Sequence, residues 1–297
     1  MQKAAPAVSG RTTWMSAMPA VFVLLWSTGF IGAKYGLPYA EPLTFLLIRL
    51  SLVTVVLTVV ALVTRAPWPA TWREGAHIAV AGLLVHGVYL GGVFTGIHHG
   101  LPAGVAALIV GLQPLLTAAG AGPLLGEKVT PRQWLGLILG LVGVILVVAE
   151  KLSLSTDHLV GAGLCSAALI GITAGTLYQK RFCTGMDLRT GAIIQYTATS
   201  LGLLAIAPWF ETMRVAWTPE FLFALGWLSF VLSVGAVFLL FQLIRRGAAA
   251  RVASLFYLVP PVTAAIAFLM FGERLGLPAL AGMAIAVIGV ALVNRSR

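Results

Sequence analysis

The residues with the clearest capacity for chemistry are His86 and Tyr89, which stand three positions apart in a long apolar stretch. In a helix this spacing places both side chains on one face, together with Gly82 and Val93. An imidazole and a phenol can hydrogen-bond a carboxylate, and the imidazole can also carry a proton. The same position also suits a packing histidine that bonds to a neighbouring helix, so the sequence leaves both roles open.

Two proline positions add candidates. Gln113 precedes Pro114 in a second apolar stretch, and consecutive prolines begin at Pro260 in a later one. Proline removes a backbone donor and frees an upstream carbonyl, so it interrupts a helix and can expose backbone groups to a ligand. A kink that serves packing alone is the alternative. With aromatic residues added as walls for an apolar or cationic group, the predicted substrate-binding residues are His86, Tyr89, Gln113, Tyr257, Phe256 and Trp26.

The charged residues near apolar stretches are predicted to be structural. Arg49 lies inside one, where it could attract a carboxylate but more often pairs with carbonyls or extends to the interface. Glu127 and Glu273 follow apolar stretches in turns, where negative charge at a following helix N-terminus is favourable. With Pro114 and Pro260 they form the predicted structural set.

Enzymatic and metal chemistry find little support in the sequence. No acidic residue lies in the middle of an apolar stretch, so we expect no carboxylate proton relay. The adjacent His98 and His99 have no further ligand nearby, and two cysteines form no CxxC motif. We predict no catalytic set, no metal and no cofactor; an intramembrane enzyme remains an alternative of another class.

The elements that carry these residues are predicted to span a membrane. Of the 297 residues 59% are hydrophobic and 9% charged, with a mean hydropathy of +0.98, whereas soluble domains carry about 25% charged residues. After a polar tail at residues 1–14, ten apolar segments approach the roughly 20 residues that a spanning helix needs. They are Met15–Tyr35, Leu43–Thr64, His77–Ile97, Pro102–Leu125, Trp134–Ala149, Leu159–Lys180, Ala192–Phe210, Phe221–Ile244, Ala248–Phe271 and Leu277–Val293.

The charge distribution predicts how these segments cross. The net charge of +10 forms no basic stripe, so nucleic acid is not an expected partner. If each segment crosses once, most of the 19 Lys and Arg residues fall on the side that holds both termini. Positive charge concentrates on the cytoplasmic side of membrane proteins. We therefore predict both termini in the cytoplasm and the lipid bilayer as the surroundings.

An internal repeat organises the chain. The turn at Gly126-Glu127-Lys128 recurs 146 residues later as Gly272-Glu273-Arg274, and the same offset aligns Lys34 with Lys180. We predict two five-helix halves at 15–150 and 151–297. An odd number of crossings inverts the second half relative to the first, an architecture found in many secondary transporters.

Several motifs, taken in their order along the chain, resemble those of a known family. They are Trp26-Ser27-Thr28-Gly29-Phe30 with Lys34, Pro42 with Arg49, Ala103–Ala107 with Pro114, and Gly126-Glu127-Lys128 with Gly136 and Gly143; the second half repeats the last pattern. Together they resemble the EamA-type branch of the drug/metabolite transporter superfamily. Within it, the sequence is similar to the YddG-type exporters of aromatic and other amino acids.

The resemblance implies an all-α inner-membrane protein that exports small metabolites, most of all neutral amino acids, around a central cavity. It implies no covalent chemistry. Carriers of drugs or phosphorylated metabolites are the alternative within the superfamily. A phosphate site would want two or more buried basic residues, and Arg49 is the one clearly placed in an apolar segment. The oligomeric state, monomer or homodimer, stays open.

Overall fold

A computed structural model gives the fold and describes residues 9–101, 106, 109–149, 159–271 and 276–294. Glu273, for which a capping role was predicted, and the first eight residues of the polar tail lie outside these ranges. The described residues are helical nearly throughout, and their one β contact is an isolated bridge between Ala40 and Val215. The helices are α1 Ser9–Gly36, α2 Pro42–Val63, α3 Trp72–His98, α4 Gln113–Leu125, α5 Pro131–Ala149, α6 Leu159–Phe182, α7 Leu188–Phe210, α8 Pro219–Arg246, α9 Ala249–Ser254, α10 Val259–Phe271 and α11 Leu277–Asn294.

Five of these helices, α2, α3, α6, α7 and α8, are long and apolar enough to cross a membrane. Shorter apolar helical stretches occur within α1, α5 and α11. Unpaired backbone groups are too costly in lipid for other elements to be exposed there, which agrees with a helical bundle. The all-helical membrane class is confirmed, while the count of ten spanning helices stays a prediction.

Polar caps make several helices start earlier than hydropathy predicted. The hydroxyl of Thr71 accepts a hydrogen bond from the Glu74 backbone N–H, and the Glu74 carboxylate accepts one from the Ala70 N–H. This exchange resembles a capping box and starts α3 at Trp72 rather than at His77. Hydropathy alone overlooks such polar first turns.

Both α3 and α8 contain a π-helical segment, at Leu83–Tyr89 and Trp227–Ala236 respectively. When the first segment is shifted by the 146-residue offset of the repeat, it falls within the second, so the two halves have π segments at equivalent positions. A π turn holds more residues than an α turn, and it therefore rotates the helix face that follows. Gly82, directly before this segment, packs against the backbone of Gln195, and His86 bonds the Gln195 side chain, so both residues face the same neighbour on α7.

The helices that contain the prolines are interrupted, as predicted. A turn at residues 111–112 precedes Gln113 at the start of α4. In the second half a 3₁₀ turn at Leu255–Leu258 separates α9 from α10. Pro114 and Pro260 each lie in the first turn of the new helix, where a missing N–H costs nothing.

The backbones of helices α5 and α11 approach each other closely along a seam of glycines. A Cβ atom built on Gly289 would lie 2.5 Å from the Gly136 carbonyl oxygen and 2.5 Å from the Gly140 nitrogen. One built on Gly143 would lie 2.5 Å from the Ala286 nitrogen. Small residues allow such approaches between membrane helices, so Gly136 and Gly140 serve packing here.

Substitution of Gly289 by valine should therefore force α5 and α11 apart. The clash is with backbone atoms, which cannot rotate away, so we expect a destabilisation of about 3 kcal/mol or more, at or above the usual range for overpacking. Thermal unfolding of the purified protein in detergent measures it. Gly163→Val is the matched control, because a Cβ at this exposed glycine of α6 meets no atom within 4 Å. Equal unfolding temperatures for the two variants would contradict the seam.

At one end of the bundle a salt bridge joins the two halves. The Glu127 carboxylate lies 3.3 Å from the Lys180 ammonium and accepts a hydrogen bond of 2.8 Å from the Ala249 backbone N–H. Lys180 also donates to the Gly247 carbonyl. Glu127 thus caps a helix, as predicted, but the helix is α9 of the other half rather than the next helix in sequence.

At the opposite end, a second set of contacts joins the halves. The Glu211 carboxylate after α7 accepts hydrogen bonds of 2.7 Å from the backbone N–H groups of Leu43 and Thr44. Glu41 in turn accepts from the Thr212 N–H at 2.8 Å. Acidic side chains at a helix N-terminus are favoured by its unpaired donors, so the start of α2 is fixed by a residue of the second half.

Candidate functional site

A cavity between the two halves contains most of the buried polar chemistry predicted from sequence. It is bounded by α1, α2, α3 and α8, so both halves contribute walls. Its polar and aromatic lining comes from Trp26, Arg49, His86 and Tyr89, and its apolar lining includes Leu232 and Val93 among others. The π segments of α3 and α8 supply His86, Tyr89 and Leu232. Such segments are frequent at functional sites because they re-aim side chains.

Arg49 brings a full positive charge into this cavity. Its side chain is 3% exposed, and its Nε donates a hydrogen bond of 2.9 Å to the Ser233 hydroxyl. Ser233 in turn donates to the Leu228 carbonyl within the π segment of α8. Among the described residues no carboxylate lies within ion-pair distance of Arg49. A buried cation is costly unless a counter-charge compensates it, so the site favours an anionic group in the cavity.

The predicted structural role of Arg49 therefore covers only part of what the structure shows. The bond to Ser233 ties α2 to α8, which is a structural contact. The guanidinium nevertheless lines the cavity beside His86 and Tyr89, where an arginine fork suits a carboxylate. Sequence reasoning placed Arg49 inside a helix correctly but could not know which way the side chain points.

His86 begins a chain of buried hydrogen bonds. Its Nε2 lies 3.1 Å from the Gln195 Oε1, and the Gln195 amide nitrogen donates to the Gln179 Oε1 at 3.1 Å. All three side chains are 2% exposed or less. Because Gln195 donates at its nitrogen, its oxygen accepts the proton of His86 Nε2, which leaves Nδ1 as the acceptor of the neutral imidazole. His86 therefore bonds to a neighbouring helix and also lines the cavity, while its role towards a substrate stays a prediction.

Aromatic rings border one end of the cavity. Trp26 stacks on Tyr89 at 6.5 Å, and the edge of Phe256 meets Trp26 at 5.4 Å. Phe22 completes the cluster at 5.2 Å from Trp26 and 5.5 Å from Phe256. These rings lie toward the start of α1, the end at which Glu127 and Lys180 pair. Aromatic packing thus borders the cavity on that side.

The cavity is narrow in this conformation. The space open to water within it is about 40 Å³, which admits water but falls far short of the 300–1,000 Å³ of small-molecule sites. A metabolite can reach Arg49 and His86 only if the walls move. Movement of one half against the other is therefore part of any use of this site.

Of the six predicted binding residues, the structure brings four together. His86, Tyr89 and Trp26 line the cavity, and Phe256 borders it. Gln113 and Tyr257 are fully buried elsewhere: Gln113 faces Thr176 of α6, and Tyr257 packs against Gly140 of α5.

Three contributors were not among the predicted site residues. Ser233 and Gln195 anchor Arg49 and His86 respectively, and the Tyr196 ring contacts His86 at 4.8 Å. The repeat contained a usable signal, because the 146-residue offset aligns Arg49 with Gln195. Two polar residues at equivalent positions in apolar segments indicate a shared role.

A larger cavity of about 650 Å³ lies on another face of the same π segment, lined by Gly87, Gly91, Thr199 and Gly202 among others. Several of its wall residues are exposed on the outside of the bundle, including Leu83 and Val88. It contains no buried cation. Glu41, Glu211, His98 and His99 also line it, but none of these side chains is fully buried. We take the smaller cavity as the candidate site because it contains the buried cation Arg49 beside His86 and Tyr89.

An apolar helical bundle of two similar halves with an internal cavity between them is an architecture found in many secondary membrane transporters. Comparison with known proteins agrees. The chain belongs to the EamA-like transporter family, whose sequence profile matches residues 13–149 and again residues 159–295. The family match occurs twice, so the internal repeat is confirmed.

Relatives extend over nearly the whole chain. An uncharacterized transporter, YvbV, of Bacillus subtilis is 30% identical over 93% of this chain and 90% of its own length. A probable terminal-alkyne amino-acid exporter of Streptantibioticus cattleyicolor is 32% identical over 95% and 90%. An uncharacterized inner membrane transporter, YedA, of Escherichia coli K12 is 27% identical over 94% and 89%. A solved crystal structure at 20% identity shares the fold, with a TM-score of 0.78 over 94% of this chain and 96% of that chain.

Proposed function

We propose that this transporter exports neutral amino acids, aromatic ones included, from the cytoplasm across the inner membrane. The observation that carries the proposal is Arg49, a buried cation in the wall of an internal cavity with no carboxylate partner among the described residues. An α-carboxylate supplies the missing charge. The aromatic rings of Trp26 and Tyr89 suit an apolar side chain or, through their faces, an ammonium group.

The mechanism we propose is alternating access between two inverted five-helix halves, with ten spanning helices and both termini in the cytoplasm. The equivalent π segments and the equivalent helix interruptions in the two halves support it. Two similar halves that face opposite ways can exchange conformations, and so open a midplane site to either side in turn. In this topology the end with Glu127 and Lys180 is cytoplasmic, and it is closed.

The alternative cargo classes fit the cavity less well. A phosphate monoester carries a charge of about −1.5 to −2 at pH 7, and Arg49 is the one Arg or Lys side chain that lines the cavity in the described part of the chain. A cationic drug would meet that same charge unfavourably, at a cost that grows in surroundings of low dielectric. One carboxylate matches one guanidinium.

Counterflow of labelled phenylalanine in liposomes that contain the purified protein tests the proposal. We expect saturable exchange that is absent from empty liposomes. 3-Phenylpropionate, which keeps the carboxylate, should compete, whereas phenethylamine, which lacks it, should not. Competition by phenethylamine alone would contradict the role of the cation. No exchange of any amino acid by folded protein would remove this class of cargo.

A further inference from the structure

Three buried polar atoms without a partner belong to α4 and α6, two helices that pack against each other. They are the Gln113 Oε1, the Thr117 hydroxyl and the Thr173 hydroxyl, which find no hydrogen bond among the described residues. Gln113 and Thr117 are fully buried, and Thr173 is 8% exposed. An unmade hydrogen bond in a buried place costs about 1–3 kcal/mol. Such groups are rare in native proteins, so a cluster of them needs a reason.

The two helices face each other along this cluster. The Gln113 amide nitrogen lies 3.5 Å from the Thr176 hydroxyl, and a Cβ on Gly120 would touch Leu177 at 2.6 Å. One face of α4 contains Gln113, Thr117 and Gly120, which are spaced i, i+4 and i+7 along the helix. Thr173 stands one turn before Thr176 and Leu177 on α6, so the unpaired hydroxyls lie in the same interface. Either orientation of the Gln113 amide leaves one of its atoms unpaired.

This interface continues into the candidate site. One turn beyond Thr176 on α6 is Gln179, which bonds through Gln195 to His86. The next residue, Lys180, forms the salt bridge with Glu127 that joins the halves. We define the polar seam as Gln113, Thr117, Thr173, Thr176, Gln179 and Gln195. It connects the cavity wall with the closed end of the bundle through polar side chains.

We propose that the polar seam is the closed cytoplasmic half of the transport path, and that it opens to admit an amino acid to Arg49 and His86. This rests on the proposed function. In the closed conformation the seam costs stability because the Gln113 Oε1 and the hydroxyls of Thr117 and Thr173 lack partners. When α4 and α6 separate, water and the charged ends of the cargo supply those partners. The seam therefore favours opening, as a path that must alternate requires.

The proposal predicts an unusual pair of effects for Thr117→Val and Thr173→Val. Valine matches threonine in shape but has no hydroxyl to leave unpaired, so the thermal unfolding temperature should stay the same or rise. Phenylalanine counterflow should fall at least tenfold in the double variant. Thr54→Val is the control, since the Thr54 hydroxyl already bonds to the Leu50 carbonyl. A lower unfolding temperature together with slower counterflow, or unchanged counterflow, would overturn the proposal.

A second readout does not depend on the cargo. In a Cys183→Ser background, Thr173→Cys should react with a membrane-impermeant maleimide applied to inside-out vesicles, at least tenfold faster than the native Cys165. Both positions lie on α6 and are buried, but Cys165 sits outside the seam. Equal labelling rates at positions 173 and 165 would overturn the proposed role of the polar seam even if amino acids are exchanged. Selective labelling without exchange of any amino acid would instead retain the path and remove the proposed cargo.

Discussion

Arg49→Met should lower the kcat/KM of amino-acid exchange at least about thirtyfold. Removing one partner of a buried charged pair costs about 2–5 kcal/mol, and each 1.4 kcal/mol is about a factor of ten. Methionine keeps much of the length and apolar volume of the arginine stem. Because a buried charge without a partner is itself costly, the variant should fold, and its unfolding temperature should not fall greatly.

Two further variants separate the charge of Arg49 from its shape. Arg49→Lys keeps the positive charge but loses the planar fork and the Nε that bonds Ser233, so its activity should lie between those of the wild type and Arg49→Met. Arg245→Gln removes an exposed arginine at the end of α8 and should leave exchange unchanged. Wild-type KM for phenylalanine in Arg49→Met would contradict the proposed carboxylate site.

The contact made by Arg49 has an equivalent at the corresponding position of the other half. Arg49 of α2 reaches Ser233 in the π segment of the second half. Its repeat counterpart, Gln195 of α7, reaches His86 in the π segment of the first half. Each half thus sends one polar side chain from its second helix to the π segment of the other. The two contacts differ in charge, so the cavity is asymmetric, as recognition of a polar cargo requires.

The features that the sequence predicted are those set by composition and spacing. Apolar length indicated the helices, and repeated turns such as Gly126-Glu127-Lys128 indicated the two halves. Proline chemistry predicted the interruptions before Pro114 and Pro260. Each of these depends on the residue and its neighbours along the chain.

The features that were missed depend on the direction of side chains. The π segment of α3 carries His86 and Tyr89, and no local propensity indicates it. Gln113 and Tyr257 stand next to the predicted interruptions but face α6 and α5 instead of the cavity. Which face of an apolar helix meets the cavity is decided by tertiary packing, because all faces of such a helix are apolar.

Glu127→Ala should open the closed end of the protein more often. The variant loses the ion pair with Lys180 and the cap on the Ala249 N–H, two contacts between the halves. The pair is partly exposed, with side-chain exposures of 21% for Glu127 and 17% for Lys180, so each contact is worth about 1 kcal/mol or less. A combined loss near 1.4 kcal/mol shifts a two-state equilibrium roughly tenfold.

A cysteine at Ala250 reports this change, because the residue is 1% exposed and lies in α9 directly after the capped N–H. With both native cysteines replaced by serine, Glu127→Ala should raise its labelling by an impermeant maleimide about tenfold from the cytoplasmic side. Asp187→Asn is the matched control. It weakens an ion pair between Asp187 and Arg189, which lie two residues apart at the start of α7. The bond between the halves that Arg189 makes, from its Nη1 to the Thr64 hydroxyl, does not use the Asp187 carboxylate and can persist. Equal acceleration by both variants would assign the effect to general loosening. Each substitution removes one carboxylate charge, but only the Glu127 carboxylate pairs with a residue of the other half. Faster labelling in Glu127→Ala alone would therefore identify the contact between the halves as the one that holds this conformation closed.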